Sequence, residues 1–207
     1  AILSDMHLPD VEGRELVGAI RTDFTVRETP FLMVSGADLA PQIGASGAAA
    51  VAPILQGLET AIAPRVFLHE RIAAGGEGLS GPVEPFGTAT LLRAVGGSSL
   101  TGCLRLRKGE QRNASVIFRR GEVCGATVNA PQSTVGPLAM LHLLGYEWKE
   151  YSFRSEDVDE GQVPIGSMVE LTETACQQNN LLLARVYQQG VQIEDVEVHR
   201  NSLDLYL

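Results

Sequence analysis

Asp5 closes a short apolar run that opens Ala1-Ile2-Leu3, and Ser35 closes a second, Phe31-Leu32-Met33-Val34. Each run is short and apolar enough to be a strand, so the two polar side chains are predicted at strand tips. In open parallel sheets, ligands and chemistry collect outside the carboxyl ends of the strands. Behind Asp5 come Leu8 and Pro9 in a loop and Gly13 at the start of a helical pattern; behind Ser35 come Gly36 and Ala37, and later Gly47 and Ala48. A lone carboxylate at a strand tip is as often structural as chemical. The paired placement of Asp5 and Ser35 is the more specific signal.

Other chemistries find less support. His7, His69, His142 and His199 are scattered, with no i, i+4 pair and no neighbouring Cys, so no metal site is expected. Asp5, Asp10 and Glu12 lack the alternating acids of a calcium loop; Asp10 and Glu12 read as acids favoured near a helix N-terminus. No G-x-x-x-x-G-K-[ST] stretch is present, which excludes a P-loop, and Ser35 sits in no G-x-S-x-G elbow. Cys103, Cys124 and Cys176 are widely spaced in apolar surroundings and read as buried thiols. A thiol-enzyme reading would need one of them activated beside Arg. Catalysis is not expected.

Charge and composition narrow the partners. The net charge of −9 and aromatic content of 5% argue against nucleic acid or an anionic membrane. Positive charge is concentrated at Arg105, Arg107, Lys108, Arg112, Arg119 and Arg120. That run is either two strands with solvated outer faces or a basic docking face for an acidic partner. No apolar run approaches the length of a membrane helix and no signal peptide is evident. With unpaired thiols, the expected compartment is a reducing cytoplasm.

The elements that must position these residues follow from periodicity. Strands are predicted at 1–5, 30–34 and, from small residues, 48–52. Helices are predicted at 12–22, 37–46 and 54–73, the last broken or kinked at Pro64. Residues 75–87 have the Gly/Pro content of a linker. A short helix at 88–95 precedes strands at 102–106, 114–118 and 123–128, joined as an antiparallel meander. A helix at 136–144, a strand at 151–154 and a long helix from about Ser167 to Val186 follow. Alternation at 196–198 and 203–207 predicts a terminal hairpin.

Asp5, Leu8, Pro9, Gly13, Ser35, Gly47 and Ala48 together resemble the response-regulator receiver domain, over the first third of the chain. The resemblance implies Asp5 as phosphoacceptor for a histidine kinase, Ser35 as the hydroxyl bonding the phosphoryl oxygens, and Mg²⁺ bound where the whole receiver is intact. Two positions depart from the pattern. The family's Lys position is Ile54, and the acidic pair of the family's first strand has no counterpart here. The chain therefore reads as a piece of a longer polypeptide. Leu91 and Leu92, Gly102, Leu104 and Leu106, Val116 to Phe118, Arg120-Gly121-Glu122, Val123, Ala126, Gly136, Tyr151 and Phe153 occur in an order that resembles the PATAN domain. That module is attached to receivers and acts through protein contacts.

The expected architecture is a partial, doubly wound α/β receiver with three parallel strands, followed by an α+β domain with an antiparallel meander. The expected divisions are a receiver part at 1–73, a linker at 74–87, a PATAN-type interaction domain at 88–190 and a terminal strand pair at 191–207. The expected function is that of a bacterial two-component regulator fragment, whose receiver controls a protein-binding output domain. Arg105, Arg107, Arg119 and Arg120 are the candidate interaction residues. The alternative is a constitutive adaptor or homodimerisation module without phosphotransfer.

Overall fold

The computed structural model describes residues 1–35, 47–130 and 132–188. The chain divides into two compact units, Ala1–Leu68 and a second that begins at His69.

In the first unit, β1 (Ile2–Asp5) and β2 (Phe31–Val34) pair in parallel, with Ile2 opposite Phe31 and Asp5 opposite Val34. Parallel neighbours need a crossover, and α1 (Gly13–Thr22) lies within it. Leu16, Val17 and Ile20 form the half-buried face of α1. Gly13 is required where α1 starts: a Cβ there would lie 2.7 Å from the Asp5 carbonyl oxygen and 3.0 Å from that of Met6. This close approach lets Gly13 N donate to Met6 O at 2.9 Å. After α1, Phe24 is buried under the Arg27 guanidinium, which stands 4.0 Å from the ring centroid.

Residues 48–52, expected as a third parallel strand, belong instead to α2 (Gly47–Ala73). Ala is the strongest helix former, and this small-residue stretch has only Val51 to favour a strand. The described parallel sheet therefore has two strands. Of the kink or division expected at Pro64, the division is not found, since α2 continues through Pro53 and Pro64. Gly57 of α2 lies against Leu32 of β2, where an added Cβ would meet the Leu32 methyls at 3.2 and 3.3 Å. Arg65 of α2 donates to the Glu28 carbonyl, and burial is the main influence lowering its pKa. Met33 is exposed and its β2 neighbours are half-buried, so β2 is not covered on both faces, although a continuous apolar run is the pattern of a strand that is. The helix expected at 37–46 lies outside the described residues.

The second unit is built on a six-stranded antiparallel sheet in the order β3-β8-β4-β5-β6-β7. Its members are β3 (Ser80–Pro82), β4 (Gly102–Lys108), β5 (Arg112–Arg119), β6 (Glu122–Ala130), β7 (Gln132–Val135) and β8 (Glu150–Arg154). The meander is present with one strand more than expected. The stretch expected as a linker at 74–87 carries β3 and buries Leu79, Val83 and Phe86. Phe153 N donates to Leu79 O at 2.7 Å and Val83 N to Lys149 O at 3.0 Å, which fixes this stretch along β8.

One sheet face is apolar because the strands alternate. Leu104 and Leu106, Ala114, Val116 and Phe118, Ala126 and Val128, and Tyr151 and Phe153 are all buried. With α3 (Thr88–Gly96), α4 (Pro137–Gly145) and α5 (Met168–Gln188) they make the core. Helix α5 packs on α3 and α4, and α4 packs on β6. The α3–α5 approach needs Gly96, since a Cβ there would fall 2.3 Å from the Met168 Cβ. Two carbonyls near the C-terminal end of α4 find side-chain donors: Trp148 Nε1 reaches Leu143 O at 2.8 Å and Asn179 Nδ2 reaches Leu141 O at 3.0 Å.

Helix α5 begins with a serine N-cap: Ser167 Oγ accepts from Glu170 N at 3.3 Å and donates to Glu170 Oε2 at 2.9 Å. Ser167→Ala is therefore expected to destabilise the second unit by about 1 kcal/mol in a urea titration. A Ser167→Asp chain, which keeps an acceptor there, should lose less. The hairpin expected at 191–207 lies outside the described residues.

Candidate functional site

The parallel register sets the first candidate site. Asp5 is the last residue of β1 and Ser35 directly follows the last residue of β2, so both stand at the same end of the two-stranded sheet. Met6 N donates to Val34 O at 3.0 Å, which ties the two strand ends together. Asp5 is exposed and its Oδ1 accepts from His7 N at 3.0 Å, a carboxylate bond to its own loop. His7 Nδ1 lies 3.5 Å from Glu12 Oε2 with both side chains largely exposed. That pair holds the two sides of the loop and adds little stability. Ser35 is half-buried. Ile54, at the family's Lys position, lies within helix α2 and not at a strand tip.

The Mg²⁺ that the receiver resemblance implies needs more than this set. Among the described residues no group of three His, Cys, Asp or Glu side chains is arranged to hold a metal ion. Asp5 is the one implied ligand present, and by itself it does not make the site.

The second candidate site is the face of the antiparallel sheet turned away from the helices. Register places its residues in rows. Ser152, Arg105, Ser115 and Thr127 make the central row. Glu150, Arg107, Asn113 and Asn129 lie on one side of it, and Arg154, Cys103, Ile117 and Gly125 on the other. Arg105 and Arg107 are exposed here, and Arg119 stands at the far end of β5. The arginines adjacent in sequence are thus spread along the strands. Arg120 is off the face: with φ 53 it forms the β5–β6 turn with Gly121, φ 84, a pair of positive values suited to a two-residue hairpin.

An acidic segment with no local sequence signal linking it to these arginines crosses this face on the side of the Arg154, Cys103, Ile117 and Gly125 row. Leaving β8 after Arg154, residues 155–162 bring Glu156 Oε2 to 3.8 Å from Arg105 Nη2. Arg119 Nη1 donates to Asp159 O at 3.3 Å and to Glu160 O at 2.8 Å. Gln162 Nε2 reaches Cys124 O at 3.1 Å over Gly125, where a Cβ would stand 3.4 Å from that nitrogen. Cys103 points to this outer face yet is only 4% exposed. Burial pushes its thiol pKa up; Arg105 pulls it down and Glu156 raises it further. The signal available in the sequence was the acid cluster Glu156, Asp157, Asp159 and Glu160 lying downstream of the Arg run. All three cysteines are buried thiols outside any disulfide.

A cleft of about 190 Å³ beside α4 and α5 is lined by Pro137, Leu141, Ile165, Glu170 and Leu171, among others. Its volume falls below the roughly 300–1,000 Å³ usual for ligand pockets. No helix among the described residues is long and apolar enough to cross a membrane. No protein-family model, curated protein or solved structure matches the chain.

Proposed function

We propose that this chain is part of a two-component response regulator in which Asp5 accepts a phosphoryl group from a histidine kinase and the second unit binds a protein partner. A single observation carries the reading: a β–α–β crossover brings Asp5 and Ser35 to the same end of two paired parallel strands. In the reaction proposed, an Asp5 carboxylate oxygen attacks phosphorus in a phosphohistidine. The P–N bond breaks, the imidazole leaves and takes up a proton, and an acyl phosphate forms on Asp5. Ser35 Oγ then donates to a phosphoryl oxygen. No metal step is assigned, because the described residues do not make a metal site. The added charge shifts the population of the first unit and thereby the availability of the second.

The adaptor alternative is favoured by one observation, the absence of a Lys at position 54. The deciding experiment is incubation of the chain with acetyl phosphate in Mg²⁺ buffer. Intact mass and peptide mapping are the readouts. A single phosphoryl group mapped to Asp5 is expected. A folded chain that takes up none leaves the adaptor reading alone.

A further inference from the structure

Segment 155–161 lies over the outer sheet face with little to hold it. Its residues are exposed except Val158, which is half-buried. Its anchors are the Arg105–Glu156 pair, with both side chains over two-fifths exposed, and the Arg119 bonds to two carbonyls. Exposed ion pairs contribute little, and segments with few buried apolar contacts open at low cost. The segment carries four acids, of which the Glu156 carboxylate faces Arg105, while Arg119 holds the Asp159 and Glu160 backbone carbonyls; a guanidinium is shaped to receive a carboxylate. Cys103 stands opposite Arg154, where the segment leaves β8, interacts with the Glu156 carboxylate, and is buried on a face whose neighbours Arg105 and Arg107 are exposed.

We propose that 155–161 is a displaceable acidic strap that occupies the Arg105–Arg119 face in place of an acidic peptide of the partner protein, and that binding of such a peptide lifts the strap and uncovers Cys103. The proposal deepens the protein-binding role given to the second unit. It does not depend on phosphoryl transfer: a chain that fails to label at Asp5 leaves it standing, and its own failure leaves Asp5 chemistry untouched. The face itself supplies the complementarity, because Arg105, Arg107 and Arg119 place positive charge on one side of the sheet in a chain of net charge −9.

The test uses the full chain, iodoacetamide and a short synthetic Glu-rich peptide, with its Gln-substituted version as control. Alkylation is followed residue by residue by mass spectrometry, with the helix thiol Cys176 as internal reference. The Glu peptide is expected to speed Cys103 alkylation by about tenfold, the factor that corresponds to lifting a segment whose opening costs about 1.4 kcal/mol, without changing Cys176. Glu156→Gln should tighten the Glu peptide by roughly threefold, as fits the loss of one exposed ion pair. Trp148 fluorescence melting checks that this variant is folded. In the unaltered chain, rising salt alone should speed Cys103 alkylation by screening the strap. Cys103 labelling that is indifferent to both the Glu peptide and salt overturns the proposal. So does peptide affinity unchanged in a folded Glu156→Gln chain.

Discussion

An Asp5→Asn chain is expected to take up no phosphoryl group from acetyl phosphate and to melt as the unaltered chain does. The two halves of this expectation rest on different atoms. An amide oxygen is too weak a nucleophile to form the acyl phosphate, so the proposed chemistry stops. The same oxygen still accepts a hydrogen bond, so the His7 N–H bond now made at 3.0 Å to Asp5 Oδ1 is kept. Asp5 is exposed, so no charge is removed from a buried site. Asp5→Ala differs: it deletes the loop bond as well and is expected to cost about 0.5–1.5 kcal/mol in the first unit. Intact mass after acetyl phosphate treatment, read beside a urea titration, separates the roles. Phosphoryl uptake that persists in a folded Asp5→Asn chain would mean another residue is the acceptor, and the regulator reading would go with it.

How much of this was legible in the sequence depended on whether the controlling contacts were local. Strands β4 and β6 were readable because Leu104, Leu106, Ala126 and Val128 alternate with polar residues, and β5 because Val116-Ile117-Phe118 is a β-branched and aromatic run between polar stretches. Helix α4 was readable from Pro137 at its start and a dense Leu set. Strand β7 was not foreseen: its sequence QSTV has one apolar residue, and its place is set by pairing with β6. The 74–87 stretch read as a linker because Gly and Pro dominate its composition. Its structure is decided by Leu79, Val83 and Phe86, which a composition average hides. Residues 48–52 carry no periodicity that separates a short buried strand from a helix, and the helix won.

The candidate site divides in the same way. Asp5 and Ser35 were predicted at strand ends by local pattern, and the parallel register puts them at a common end. The arginine run was visible, but a run in sequence is not a cluster in space. Alternation turns Arg105 and Arg107 outward on β4, whereas Arg120 is taken off the face by the turn it forms. The acid segment paired with Arg105 and Arg119 is remote in sequence, and nothing in its periodicity reports that pairing.

Phe118→Ala is expected to destabilise the second unit by about 3–5 kcal/mol, a large share of the roughly 5–15 kcal/mol that holds a domain together. Phe118 is fully buried and lies opposite Gly102 on β4 and Val123 on β6. It sits where the β5–β6 register shifts, between Ile117 and Phe118. Gly102 cannot fill the space left, because a side chain there would meet Arg154 O at 2.1 Å and the Phe153 ring at 2.9 Å. The surrounding strands are held by ladder bonds on both sides, so little collapse into the cavity is expected. The neighbouring residue provides the control. Ile117 faces the opposite side of the sheet and is half-buried, so Ile117→Ala should cost only about 1 kcal/mol, in proportion to the smaller apolar area it returns to water. The single tryptophan, Trp148, is buried in this unit and reports its unfolding without a signal from the first. The measurement is the urea midpoint of Trp148 fluorescence for both variants. Equal losses at 117 and 118 would mean that the helix layer does not cover the face assigned to Phe118, and the outward placement of Cys103, Arg105 and Arg107 would fall with it.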